Sequence, residues 1–188
     1  MLSRIQWAVV ILLGAVALAL NLWSWQLRGE LQEELSSRYA AAGTQLQPIK
    51  VFDLEAADHR EPKVESFQAS TRQLLFLISP SCSFCRSNLG NWQELEAHLD
   101  PGKIRLVAVT KLGGADLHLY RDALMVPILL AGDREALRAN RLIITPQTLL
   151  LDPAGKVIHN WVGDLSEHRD SIRDVLGIRL SQPESVLQ

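Results

Sequence analysis

Residues 73–78 read Gln-Leu-Leu-Phe-Leu-Ile and run directly into Ser79-Pro80-Ser81 and then Cys82-Ser83-Phe84-Cys85. This junction leaves the chain few ways to fold. A short, continuous apolar run closed by turn residues is what a strand buried on both faces requires, and proline ends it by removing a backbone donor. From residue 84 to 99 the apolar positions Leu89, Trp92, Leu95 and Leu99 recur at helical spacing, and Asp100-Pro101-Gly102 stops them. The local order is therefore strand, turn, cysteine pair, helix.

The rest of the chain repeats that alternation. Residues 49–54 and 63–67 alternate apolar with polar around the polar stretch 56–62, which predicts a hairpin. Strand 104–109, helix 116–124, strand 126–130 and helix 134–140 follow. Strand 148–151, the turn Asp152-Pro153-Ala154-Gly155 and strand 156–162 form an expected antiparallel pair. Ser166 is the expected cap of a last helix running to Leu176, with Gly177 as its stop. Strands alternating with helices predict an α/β domain, a mixed sheet flanked by helices.

Two cysteines among 188 residues cannot form a disulfide scaffold, so their spacing carries the information. A cysteine at a helix start meets unpaired backbone N–H groups and the positive end of the helix dipole, which favour a thiolate. Cys82 is the expected nucleophile. Cys85, one turn further in, is placed to resolve a mixed disulfide on Cys82, so the pair itself forms the redox-active centre and no other cofactor is expected. The competing readings are an inert disulfide or two buried thiols. A zinc site would need two further ligands, and His59, His98, His118, His159 and His168 stand singly, so no metal is expected. Trp92 and Trp161 lie on apolar periodicities and read as core. His159 reads as a packed histidine and Arg86 as a solvated charge.

The segment from Leu75 through Ser79-Pro80-Ser81-Cys82-Ser83-Phe84-Cys85, together with Thr145-Pro146-Gln147-Thr148-Leu149-Leu150-Leu151-Asp152, resembles the thioredoxin superfamily. The closer resemblance is to membrane-anchored TlpA-like and MauD-like redoxins, over residues 49–176. It implies a thioredoxin-like sheet and a cis Thr145–Pro146 bond beside Cys82, where Thr145 and Pro146, with Ser81 and Phe84, would meet a partner. Ser81 replaces the tryptophan usual before the first cysteine. Phe76 occupies the place of a buried aspartate, and Gly90 that of a helix-kinking proline, so the first helix is expected to be straighter or to bend differently. The segment 111–140 corresponds to the family's central extension, a candidate for partner specificity.

Ahead of this domain, residues 5–23 carry no charge and would span roughly 28 Å as a helix, enough to cross a hydrocarbon core. Arg4 lies on one side, with Trp7 at one end and Trp23 and Trp25 at the other, as interfacial indoles prefer. A retained signal anchor is favoured over a cleaved signal peptide, because Ala17-Leu18-Ala19 lies inside the run rather than after it. The expected organisation is an anchor over 1–25, a helical stalk over 26–43 with Leu27, Leu31 and Leu35 spaced by four, the thioredoxin-like domain over 44–180, and a tail over 181–188. The amino terminus would face the cytoplasm, with the domain in the periplasm or exterior, anchored by a single pass through the inner membrane.

With 19 Lys and Arg against 21 Asp and Glu, the net charge of −2 offers no general attraction to nucleic acid. The expected function is thiol-disulfide exchange, most simply reduction, on a protein disulfide or dithiol, with a membrane electron donor and the lipid bilayer as further partners. The resemblance implies maturation of a secreted enzyme or of cytochrome c. The alternatives are a non-catalytic binding module of the same fold and a copper(I) metallochaperone.

Overall fold

The computed structural model describes residues 4–53, 62–111 and 117–181, with the side chains of 4–11 and 30–37 outside that description. The chain divides into two compact units, Met1–Ser37 and Arg38–Gln188. Helix α1 covers Arg4–Arg38, and its described side chains from residue 12 to 29 are all exposed. The expected transmembrane helix is not borne out: among the described residues no helix is long and apolar enough to cross a membrane. The described part of α1 runs into Asn21, Ser24, Gln26 and Arg28, while the apolar start of the expected span, 5–11, lies outside the described side chains. The polar groups it does carry fold back on the helix, Asn21 Nδ2 donating to the Ala17 carbonyl (2.9 Å) and Ser24 Oγ to that of Asn21 (2.9 Å).

The second unit is built on one seven-stranded sheet. Its strands are β1 (Ile49–Asp53), β2 (Lys63–Glu65), β3 (Arg72–Ile78), β4 (Ile104–Thr110), β5 (Ile128–Ala131), β6 (Gln147–Leu151) and β7 (Val157–Val162), in the order β2-β1-β5-β4-β3-β6-β7. β3, β4 and β5 are parallel; β6 and β7 continue antiparallel from β3, and β1 and β2 antiparallel from β5. The sheet is thus mixed, as expected. The connection between β1 and β2, residues 54–61, lies outside the described residues.

Alternation along β3 explains its continuous apolar run. Leu74, Phe76 and Ile78 face a core shared with Cys85, Trp92, Leu95 and Ile172. Leu75 and Leu77 face the other, with Leu46, Val107, Val109, Leu137 and Leu149. The first face is covered by α2 (Ser83–Ser87), α3 (Leu89–His98), α4 (Leu117–Ala123) and α6 (Arg169–Leu176), the second by α5 (Arg134–Ala139) and the segment before β1. Arg105 on β4 makes a two-pronged ion pair with the nearly buried Glu65 on β2 (3.0 and 3.2 Å) and also donates to Gln73 on β3 (2.9 Å).

Several boundaries differ from the sequence reading for local reasons. β5 begins at Ile128 rather than 126 because Pro127 has no N–H to give; its carbonyl instead accepts from Ala108 (2.9 Å). The expected helix 84–99 is two helices meeting at Asn88. The last helix opens with a 3₁₀ turn, Leu165–His168, capped by Asp164, whose side chain accepts from the Ser166 amide (2.9 Å), so Ser166 is not the cap. Its stop at Gly177 is as expected, with φ at 75°. Tyr39 and Ala40, read as stalk, belong to the sheet unit: Tyr39 bridges Leu142, and the buried Ala40 accepts from Asn160 Nδ2 (2.8 Å). The tail beyond residue 181 lies outside the described residues.

Candidate active site

β3 delivers the chain to the edge of the parallel strands, where the buried Ser79 and Pro80 turn it. The Cys82 amide donates to the Ser79 carbonyl (3.1 Å), closing the turn, and Cys82 then caps α2. Its sulfur takes the role that a serine or aspartate oxygen usually plays at such a position: Sγ accepts from the Cys85 amide at 3.3 Å. The Cys82 thiol in turn donates to the Thr145 carbonyl at 3.5 Å. Neither cysteine is in a disulfide; Cys82 is half-buried and reachable, whereas Cys85 is fully buried.

The two sulfurs consequently behave differently. Burial pushes the Cys85 thiol up from 9.0 to about 12, aided by its hydrogen bond to Cys82 and opposed by contacts with Ser79 and Thr145. No carboxylate or cation is among the groups acting on it. Beneath it Phe76 stacks on Trp92 with centroids 5.3 Å apart, and the Trp92 indole donates to Thr148 Oγ1 (2.9 Å). Where the family resemblance places a buried acid, this chain has a packed aromatic pair.

The Thr145–Pro146 bond is cis, and it is Thr145 that faces Cys82. The loop is held from below by Gln147, which is fully buried and donates to the Ile144 carbonyl (2.8 Å), while its own oxygen accepts from Asn160 (2.8 Å). The Pro146 carbonyl accepts from Gly163 (3.0 Å). Cys82, Cys85, Thr145 and Pro146 are thus brought together, and Ser81 and Phe84, both exposed, flank the thiols in the chain. Phe84 is 65% exposed, an aromatic ring left facing solvent next to the buried Cys85.

Other residues settle into structural places. Trp92 and Trp161 are core. His159 packs on Trp161, its Nε2 at 3.1 Å from Ser171 Oγ, and burial followed by nearby His168 lowers its pKa. Among the described residues no group of three or more His, Cys, Asp or Glu is gathered for a metal ion. Among the residues the sequence reading missed is Asn88. It is buried, donates to the Gly163 carbonyl (2.7 Å) and accepts from the Leu165 amide (2.8 Å), which interrupts the helix behind the cysteines and ties it to the end of β7. A Cβ on Gly90 would meet nothing within 4 Å, so no close approach requires a glycine there. An asparagine between Arg86-Ser87 and Leu89-Gly90 was the only signal.

An unfolded thiol begins to lose its proton near pH 9, whereas folded Cys85 keeps it to about 12. In that window the unfolded chain binds fewer protons, so stability falls as pH rises. We expect the urea midpoint of the dithiol form to drop between pH 8 and pH 10.5 by clearly more than that of Cys85→Ala. Equal slopes in the two proteins would mean that the buried thiol is not the group responsible.

No family model and no curated protein matches the chain. Solved structures do match. A proposed thiol:disulfide interchange protein DsbE from Chlorobium tepidum is 15% identical, with a TM-score of 0.59 over 73% of this chain and 97% of that one. The thioredoxin domain of a thiol-disulfide oxidoreductase from Bacteroides vulgatus is 18% identical, with a TM-score of 0.55 over 73% and 96%. A thiol-disulfide isomerase from Corynebacterium glutamicum is 14% identical, with a TM-score of 0.52 over 76% and 98%. The fold of the chain is thioredoxin-like.

Proposed function

We propose that the chain is a thiol-disulfide oxidoreductase that reduces a protein disulfide outside the cytoplasm. The observation that carries this reading is the reachable Cys82 sulfur at the start of α2, 3.3 Å from the Cys85 amide and 3.5 Å from the carbonyl before a cis proline. In the reaction, Cys82, as thiolate, attacks one sulfur of the partner's disulfide; that bond breaks, a Cys82–partner disulfide forms, and the partner's other sulfur leaves as thiolate and takes a proton. Cys85 then gives up its proton and attacks Cys82 Sγ. This closes the Cys82–Cys85 disulfide and releases the partner with two thiols, two electrons richer. Thr145, Ser81 and Phe84, with the buried Pro146 shaping the loop beneath, are the surface on which the partner's chain rests.

Strong dithiol oxidants owe their potential to a stabilised reduced form. Cys85, protonated at neutral pH, serves as the resolving thiol in either direction, so the direction proposed is decided by the potential. Regeneration then needs an electron donor, which we place in the membrane. Support for an anchor at residues 5–23, and so for a domain in the periplasm or exterior, comes from the uncharged run itself and from Asn21 and Ser24, each of which returns a donor to a carbonyl of its own helix. The TlpA-like and MauD-like resemblance supports a role in maturing a cytochrome or another secreted protein.

Titrating the full chain against glutathione and dithiothreitol, with alkylation of Cys82 and Cys85 as readout, tests the reading. A potential near thioredoxin's, about −270 mV, is expected; one near about −120 mV would make the protein an oxidant. A pair that does not cycle would leave a binding module, with the two cysteines as core.

A further inference from the structure

Next to the cis-proline loop lies a cleft of about 260 Å³ whose walls are Lys111, Arg134, Leu137, Arg138, Leu142 and Ile143. Its chemistry is unusual for a chain with net charge −2. Three cations surround an apolar floor, and no carboxylate lines it among the described residues. Asp133, the nearest acid in sequence before α5, is engaged in capping that helix through the Glu135 and Ala136 amides (2.8 and 3.3 Å). Arg134 and Arg138 are exposed on successive turns of α5 and have no ion-pair partner among the described residues. Arg138 in the last turn of α5 suits the helix dipole, but Arg134 in the first turn opposes it and repels Arg138 four residues on, so folding gives no reason for Arg134.

The cleft, on the α5 side of the sheet, is linked to the sulfur site through the loop 143–145. Lys111 donates to the Ile143 carbonyl (2.6 Å), two residues before the Thr145 carbonyl that faces Cys82. A polypeptide whose cysteine reaches Cys82 along this loop has only residues 143–145 to cross before the cleft. We propose that the cleft seats an acidic segment of the partner protein, an apolar side chain resting on the exposed Ile143 above the buried Leu137 and Leu142 while flanking carboxylates meet Arg134, Arg138 and Lys111. The inference rests on the exchange reading above. It makes α5 the selector of partners: clefts lined by one sign of charge raise encounter rates with the opposite sign, and an arginine fork suits carboxylates geometrically.

The test uses the full chain as dithiol in nonionic detergent and two short synthetic peptides, each dimerised through its single cysteine. In one, a leucine a few residues from the cysteine is flanked by glutamates; in the other, by lysines. Hydroxyethyl disulfide is the neutral control. In each reaction the Cys82 and Cys85 thiols become a disulfide, and the peptide disulfide takes up the two electrons and two protons as two thiols. The acidic peptide is expected to react about tenfold faster at low salt, with the preference shrinking as salt is added. Arg134→Gln/Arg138→Gln should reduce the preference to under about twofold, and Arg134→Glu/Arg138→Glu should turn it toward the lysine peptide, with hydroxyethyl disulfide reduced at the wild-type rate throughout. Equal rates for the two peptides, or a preference that survives in the glutamine variant, overturn the assignment. So does a result in which the arginines matter only for binding phosphatidylglycerol bicelles, which would make the cleft a lipid contact. If no disulfide reacts, hydroxyethyl disulfide included, the exchange reading has failed. Binding of the fluorescein-labelled acidic peptide, read by anisotropy in wild type and the glutamine variant, then decides on the cleft by itself.

Discussion

Cys85→Ser is expected to accumulate as a mixed disulfide between Cys82 and a partner, and Cys82→Ser to form none, with disulfide reduction falling to background in both. The asymmetry follows from burial. Cys82 is half-buried at the start of α2 and can be reached, whereas Cys85 is fully enclosed and can attack only Cys82 Sγ once that sulfur is in a mixed disulfide. Its usefulness is geometric: well-oriented intramolecular pairs reach effective molarities of about 10⁵ M, roughly 10⁸ times the concentration of a millimolar external thiol. A thiol pushed up to about 12 is ionised to only about 10⁻⁵ at pH 7, against about 3% for an ordinary external thiol, which reduces that advantage to about 10⁴. The trapped complex in Cys85→Ser should therefore outlive the wild-type intermediate by at least about a thousandfold, long enough to be seen on non-reducing gels and to be released by dithiothreitol. A partner that stays attached to Cys82→Ser, or a Cys85→Ser protein that turns over normally, would remove the resolving role from Cys85. If both variants bind partner non-covalently and equally well, the domain is a scaffold.

How much of this site was readable in advance depends on the range of the interactions involved. β3 was legible because a central strand has to be apolar on both faces, and the turn at Ser79-Pro80-Ser81 because proline cannot continue it. The cysteine pair was legible because its chemistry depends on local spacing. The proximity of Thr145 to Cys82, 63 positions away, came only through the resemblance. Nothing in the chain's periodicity places β6 beside β3, or β1 beside β5 rather than against β3. Asn88 was illegible for a related reason. Its buried amide satisfies the Gly163 carbonyl and the Leu165 amide, partners that the sequence gives no means of naming, and without them an asparagine in a helical stretch reads as surface. Gln147 and Asn160 escaped likewise: in a strand a polar residue signals a solvent face, yet here the pair holds the cis-proline loop from inside. The cap at Asp164 was missed by two residues because a 3₁₀ turn precedes the helix that Ser166 would have started.

The largest stability effect is expected at Trp92. It is fully buried, stacks on Phe76 and donates its indole N–H to Thr148, so Trp92→Ala removes a large apolar volume and leaves a buried hydroxyl without its partner. Truncations of this kind cost about 3–5 kcal/mol, which for a domain of this size lowers Tm by roughly 6–20 °C. Trp92→Phe keeps a ring for the stack but loses the hydrogen bond, and should cost about 1–3 kcal/mol. The two substitutions also differ in what they do to the chemistry. Cys85 holds its proton mainly because it is desolvated, and it shares its core with Phe76 and Trp92. A cavity at Trp92 opens that core to water and relieves part of the desolvation, so in Trp92→Ala the alkylation of Cys85 should set in at a lower pH than in wild type. Trp92→Phe, still filled, should keep the wild-type onset while losing stability. Urea midpoints and alkylation profiles measured on the same three proteins separate the two effects. If Trp92→Ala loses less than about 1 kcal/mol and leaves the alkylation onset unmoved, the aromatic pair does not set the thiol's surroundings. The high pKa would then have to come from the contact with Cys82 instead.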